Sequence, residues 1–179
     1  LHMVGPSCLP FNFGDSGSRM RLNTSLFWFA RKTKNPALLR NECKLLLEIP
    51  NYDYEQYRRM LPSIFVLGKD INLANLPKPK VDMFAAKNEA PVCLMRSSWK
   101  EDAIYVGIKG GKASANTHTH LDAGSFVMDA QGVRWAVDLG PQEYNSLESK
   151  GIALWDNRAN GQRWKVFRYN NFAHNACAE

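Results

Sequence analysis

Asn116-Thr117-His118-Thr119-His120-Leu121-Asp122 sets two imidazoles two residues apart. Side chains on an extended strand alternate with a period of two, so His118 and His120 are expected on one face. Imidazoles placed that way can share a metal ion, or one can bind metal while its neighbour moves protons. Asp138, at the end of a predicted strand that returns towards this segment, could complete such a site together with His174. Two histidines and one carboxylate are a familiar set for zinc, which iron or manganese also accept. An HxH pair alone is common, however, and Asp122 reads equally well as a loop brace, so the surroundings must decide.

Those surroundings fall into two halves. Residues 20–70 read as helical. Asn23-Thr24-Ser25 offers capping side chains before Leu26-Phe27-Trp28-Phe29-Ala30, a segment long enough for a short buried helix. Pro36, suited to a first turn, restarts a helix whose Leu38, Leu39, Leu45, Leu46 and Leu47 mark a buried face. Asp53 can cap a third segment through Tyr57 and Met60, which Pro62 interrupts or restarts. Residues 70–90, with Leu76-Pro77-Lys78-Pro79-Lys80, read as an extended connector. Beyond it the pattern is β: residues 103–108, 124–128 and 133–139 are expected strands, the last two joined by a tight hairpin at Ala130-Gln131-Gly132. Helices followed by strands, rather than alternating with them, give an α+β arrangement or two separate domains.

Two hydrolase families that use HxH do not fit this context. The metallo-β-lactamase-like pattern HxHxDH has Ala123 where its last histidine should stand. Amidohydrolases place HxH after an apolar barrel strand, whereas Lys112-Ala113-Ser114-Ala115-Asn116 is polar and small, and a hairpin follows it. A wider match is more specific. Gly107 to Gly111, His118 to Phe126, Gly132 to Gly140, then Tyr144-Asn145, Gln162-Arg163-Trp164 and His174-Asn175, in that order, resemble heparinase II/III-like proteins over residues 104–175. Phe11-Asn12-Phe13-Gly14-Asp15-Ser16 and the helical half resemble the tail of the same family's helical toroid.

The resemblance implies an α+β multidomain fragment: residues 1–88 the end of an (α/α) toroid plus linker, residues 89–179 the first part of an antiparallel β-sandwich. It implies a polysaccharide lyase that cleaves a uronic-acid-containing polymer, such as heparin, heparan sulfate or alginate, by β-elimination. His118 matches the catalytic histidine. His120, Asp138 and His174 match the metal ligands, zinc in most cases. Tyr144 and Arg163 fall in motifs near the cleft and are candidate substrate contacts. The family's tyrosine partner lies upstream of the stretch resembling Phe11 to Ser16, so the chain reads as an internal piece that would not turn over substrate alone. A non-catalytic carbohydrate-binding or structural β-domain braced by its metal is the competing reading.

Composition agrees with these expectations without choosing among them. The chain has 179 residues and a formal charge of +6, which suits an acidic partner. The resemblance makes that partner an acidic polysaccharide rather than nucleic acid, and the setting periplasmic or secreted, although the first residues show no basic and apolar leader pattern. No apolar run approaches the roughly 20 residues that span a bilayer, so membrane insertion is not expected. Cys8, Cys43, Cys93 and Cys177 have no metal-ligand spacing, and both disulfides and free thiols are compatible with them.

Overall fold

A computed structural model describes residues 1–47, 60–112 and 118–176. The chain forms two compact units, one of Leu1 with Met20–Val81 and one of His2–Arg19 with Asp82–Glu179. The amino-terminal segment packs with the strands rather than with the helices, because Phe11 needs the sheet to bury it.

In the helical unit, α1 (Ser25–Lys32) buries Phe27 and Ala30, three residues apart on one face. Arg31 and Lys32 occupy its last turn, where the helix dipole favours cations. Asn23 accepts the Ser25 amide at 3.2 Å ahead of the helix. Pro36 opens a 3-10 turn (Pro36–Leu39) that runs into α2 (Arg40–Leu47). Leu39 and Leu45 are buried and Leu38 and Leu46 partly so, but Leu47, expected on the same face, is 83% exposed. α3 (Leu61–Gly68) carries Pro62 in its first turn, where the missing N–H costs nothing. The core of this unit is Leu22, Phe27, Ala30, Leu39, Leu45 and Ile64. The expected segment from Asp53 through Tyr57 lies outside the described residues.

The second unit is a five-stranded antiparallel meander in the order β1-β2-β3-β4-β5. Its strands are β1 (Met83–Ala86), β2 (Val92–Arg96), β3 (Tyr105–Lys109), β4 (Phe126–Ala130) and β5 (Val133–Ala136). Leu94, Gly107 and Val127 lie opposite one another along the register and are all buried. Phe11 fills the space above Gly107, where an added Cβ would stand 2.7 Å from the Phe11 ring. The β4–β5 hairpin turns on Gln131 (φ 55°) and Gly132 (φ 74°). Two successive positive φ values are the geometry that matches the strand twist in a two-residue loop. β1 falls within the expected connector, and β2 begins directly after Pro91 in a run with no apolar–polar alternation. After β5, a short helix α4 (Tyr144–Glu148) and a run of 3-10 turns pack around Leu147, Leu154, Trp164, Val166 and Tyr169.

The helical segment and the antiparallel sheet are the α+β arrangement expected. Cys43 and Cys93 are free thiols. Among the described residues no helix is long and apolar enough to cross a membrane.

Candidate functional site

The connection from β3 to β4 carries the histidines. It does not run as an extended strand through them: residues 118–124 are turn and coil, and residues 113–117 lie outside the description. The two rings consequently differ in setting. The His118 side chain is 61% exposed and that of His120 is fully buried. They meet at a residue that the motif did not point to. Asp15 Oδ2 lies 3.0 Å from His118 Nδ1, and Asp15 Oδ1 lies 2.9 Å from His120 Nε2.

Asp15 arrives there because its neighbour is glycine. Gly14 has φ 58°, and a Cβ on it would approach the His118 carbonyl to 2.9 Å, so only glycine lets the two chains lie this close. The Gly14 amide donates to Asp122 Oδ2 at 3.0 Å and the Asp15 amide to the His118 carbonyl at 3.1 Å. Asp122 also pairs with the buried Lys109 ammonium. The loop brace expected of Asp122 is therefore its observed role.

Four cationic or donor groups converge on the Asp15 carboxylate. Besides the two imidazoles, Tyr144 donates its hydroxyl to Oδ2, and Arg163 Nη2 lies 3.3 and 3.2 Å from the two oxygens. Burial pushes this carboxyl towards a higher pKa, but hydrogen bonds from His120, Tyr144 and His118 and the charge of Arg163 outweigh it and bring the pKa down to about 2. Burial, and then the adjacent Asp15 charge, push the Tyr144 phenol above its usual range, so it keeps its proton at neutral pH.

Tyr144 lines an open cleft of about 500 Å³ with Phe13, Asp15, Ser16, Lys109 and His118, which suits a substrate contact. Arg163 does not. Its side chain is fully buried, donating to the Thr119 carbonyl at 3.0 Å and the Leu154 carbonyl at 3.3 Å, with Tyr169 under its guanidinium. It anchors the histidine loop and Asp15 instead of facing the cleft.

His120, Asp138 and His174 come together behind the cleft. The His120 and His174 rings are 5.2 Å apart, and His174 Nδ1 lies 2.7 Å from Asp138 Oδ2. Asp138 also accepts from the Gly140 amide at 2.8 Å. Burial would raise its pKa, but His174 and that amide hold it below the usual range. Among the described residues no three His, Cys, Asp or Glu side chains converge as a metal-binding group. Asp138 is engaged with His174 Nδ1, the position of a carboxylate that orients a ligating imidazole. Two atoms nevertheless fit a cation: His120 Nδ1 and His174 Nε2 are buried with no hydrogen-bond partner. Orphaned imidazole nitrogens are rare in a packed interior, and a divalent ion is one group that satisfies them. The donor types fit zinc, with His120 and His174 the residues that would hold it and Asp138 beside them.

Residues 94–177 match the family described as "Heparinase II/III-like, C-terminal", and this part of the chain belongs to the heparinase II/III-like family. Among solved structures, heparan sulfate lyase HepC from Pedobacter heparinus and a mutant of it are similar at 17% identity and a TM-score of 0.48. The alignment covers 88% of this chain and 21% of theirs, so the chain spans about a fifth of their length. No curated protein sequence matches the chain.

Proposed function

We propose that this chain supplies the histidine side of a polysaccharide lyase active site that cleaves an acidic, uronate-containing polymer by β-elimination. The observation that carries this reading is His118, open to a cleft while its Nδ1 faces the Asp15 carboxylate and lies 3.2 Å from the Tyr144 hydroxyl. A carboxylate against Nδ1 favours the tautomer with its proton there, which leaves Nε2 with the lone pair a base needs. Elimination requires that base to take the C5 proton of a uronate whose carboxylate has been neutralised. The C5 electrons then form the C4–C5 double bond, the C4–O bond breaks, and the departing oxygen takes a proton.

A zinc ion on His120 and His174 would fix the histidine loop by its charge and would take no part in attack on the sugar. Heparan sulfate and alginate both present the required uronate, and a polymeric substrate of this kind places the protein in a periplasm or outside the cell. The competing reading, a binding or structural domain with a bracing metal, draws on the burial of His120 and His174 away from solvent.

His118→Ala separates the two in the full-length protein. A lyase loses the ultraviolet absorbance of the unsaturated uronate product while keeping its metal and fold. Unchanged function in that variant sinks the catalytic assignment. New reducing ends without absorbance indicate hydrolysis instead.

A further inference from the structure

We infer that Trp155 is a stacking platform for a sugar ring of the polymer next to the one that reacts, an inference that rests on the polysaccharide reading above. Trp155 is 44% exposed and stands against His118 and Tyr144, two of the groups that line the cleft. Its ring is 5.5 Å from that of His118 and 5.1 Å from that of Tyr144, nearly perpendicular to each at 77° and 79°. Two other tryptophans are as open, Trp28 at 48% and Trp135 at 64%, so exposure alone says nothing. Position separates them: Trp135 lies on β5, and Trp28 lies in the helical unit.

The indole is held rather than loose. Its Nε1 donates to Glu148 Oε1 at 2.9 Å, at the end of α4. On its amino-terminal side Leu154 is buried, and the Leu154 carbonyl accepts from Arg163, the same guanidinium that pairs with Asp15. Trp155 is thus fixed to the frame that positions His118. With its one polar atom engaged, the surface it offers is entirely apolar. A rigid apolar ring set against two groups that line a polar cleft is a surface on which a ligand in that cleft can rest. Pyranose rings carry axial C–H groups on a face that suits this surface, whereas their hydroxyls and carboxylates suit the rest of the cleft. The platform would therefore grip ring shape and leave recognition of charge to other groups.

The test is calorimetric binding of tetrasaccharides of heparan sulfate and of alginate to the protein and to three variants. Trp155→Ala weakens binding by about tenfold or more, the scale of one lost aromatic contact. Trp155→Phe keeps most of the affinity, and Trp135→Ala, at a more exposed tryptophan elsewhere on β5, is unchanged. Equal affinity in Trp155→Ala and wild type overturns the platform and leaves the lyase reading standing. Loss in Trp155→Phe as large as in Trp155→Ala also overturns it, since the indole bond to Glu148 would then be what matters. Absence of binding of both oligosaccharides to the wild-type protein overturns the platform together with the polysaccharide reading.

Discussion

Replacing Asp15 by asparagine keeps the size of the side chain and removes the charge on which two imidazoles, a phenol and a guanidinium converge. The cost can be worked from the structure in two ways. The carboxyl stands at about 2 against an ordinary 3.8. That difference of roughly 1.8 pKa units, at about 1.36 kcal/mol each, makes the charge worth about 2.5 kcal/mol at neutral pH. Independently, stripping one partner from a buried ion pair costs about 3–5 kcal/mol, and the Arg163 side chain left behind is fully buried. Together the two routes place the loss for Asp15→Asn at about 2.5–5 kcal/mol. The native pKa lies below the unfolded one, so the stabilisation is complete at neutral pH, starts to fade below about pH 4 and is gone below about pH 2. Urea unfolding of wild type and variant, followed by tryptophan fluorescence at pH 7 and again near pH 3, reads both statements. A difference under about 1 kcal/mol at pH 7, or one that does not shrink at pH 3, would refute the placement of Asp15 as the charge centre of the site.

Elemental analysis of purified protein is expected to give about one zinc per chain, lost in His120→Ala, and chelation is expected to lower the melting temperature of the wild type only. Metal-free wild type that is fully folded would leave the orphaned His120 and His174 nitrogens without this explanation. Gly107→Ala drives a methyl into the Phe11 ring and should cost about 1–3 kcal/mol of unfolding free energy, the usual penalty for overpacking. Adding Phe11→Leu should return part of that loss; no recovery in the double variant would show that the strain lies elsewhere.

The histidine motif was legible in the sequence, but the reason it is a site was not. Alternation predicted that His118 and His120 share a face, yet they share a partner instead: a coil lets one ring bury and the other open while both reach Asp15. That aspartate lies 103 residues before His118, beyond any spacing argument. Its one local signal is the Gly14-Asp15 pair, a glycine with positive φ delivering a carboxylate by close backbone approach. Arg163 was read as a candidate substrate contact because it falls in a motif near the cleft; burial, which a single sequence does not display, makes it an anchor. Among the elements, the β4–β5 hairpin was plain from Gln131-Gly132 between apolar runs. β1 was hidden because its Met83, Phe84 and Ala85 are all exposed, so no alternation of burial marks it. Leu47 shows the opposite failure, a leucine in a helical pattern that the fold leaves outside.

The division of the chain has a consequence in time. The β unit is interrupted: the chain leaves it at Arg19, builds the helical unit, and returns at Asp82. Asp15 and Arg163 are 148 residues apart. At synthesis rates of about 5–20 residues per second, Asp15 leaves the ribosome roughly 7–30 s before the arginine that neutralises it. Within that interval the helical unit is completed at Val81, before Leu94, Tyr105 and Val127, the residues that bury Phe11, have been made. The Asp15 carboxylate is made long before the arginine it pairs with, so the histidine loop acquires its full set of partners only after Arg163 has emerged.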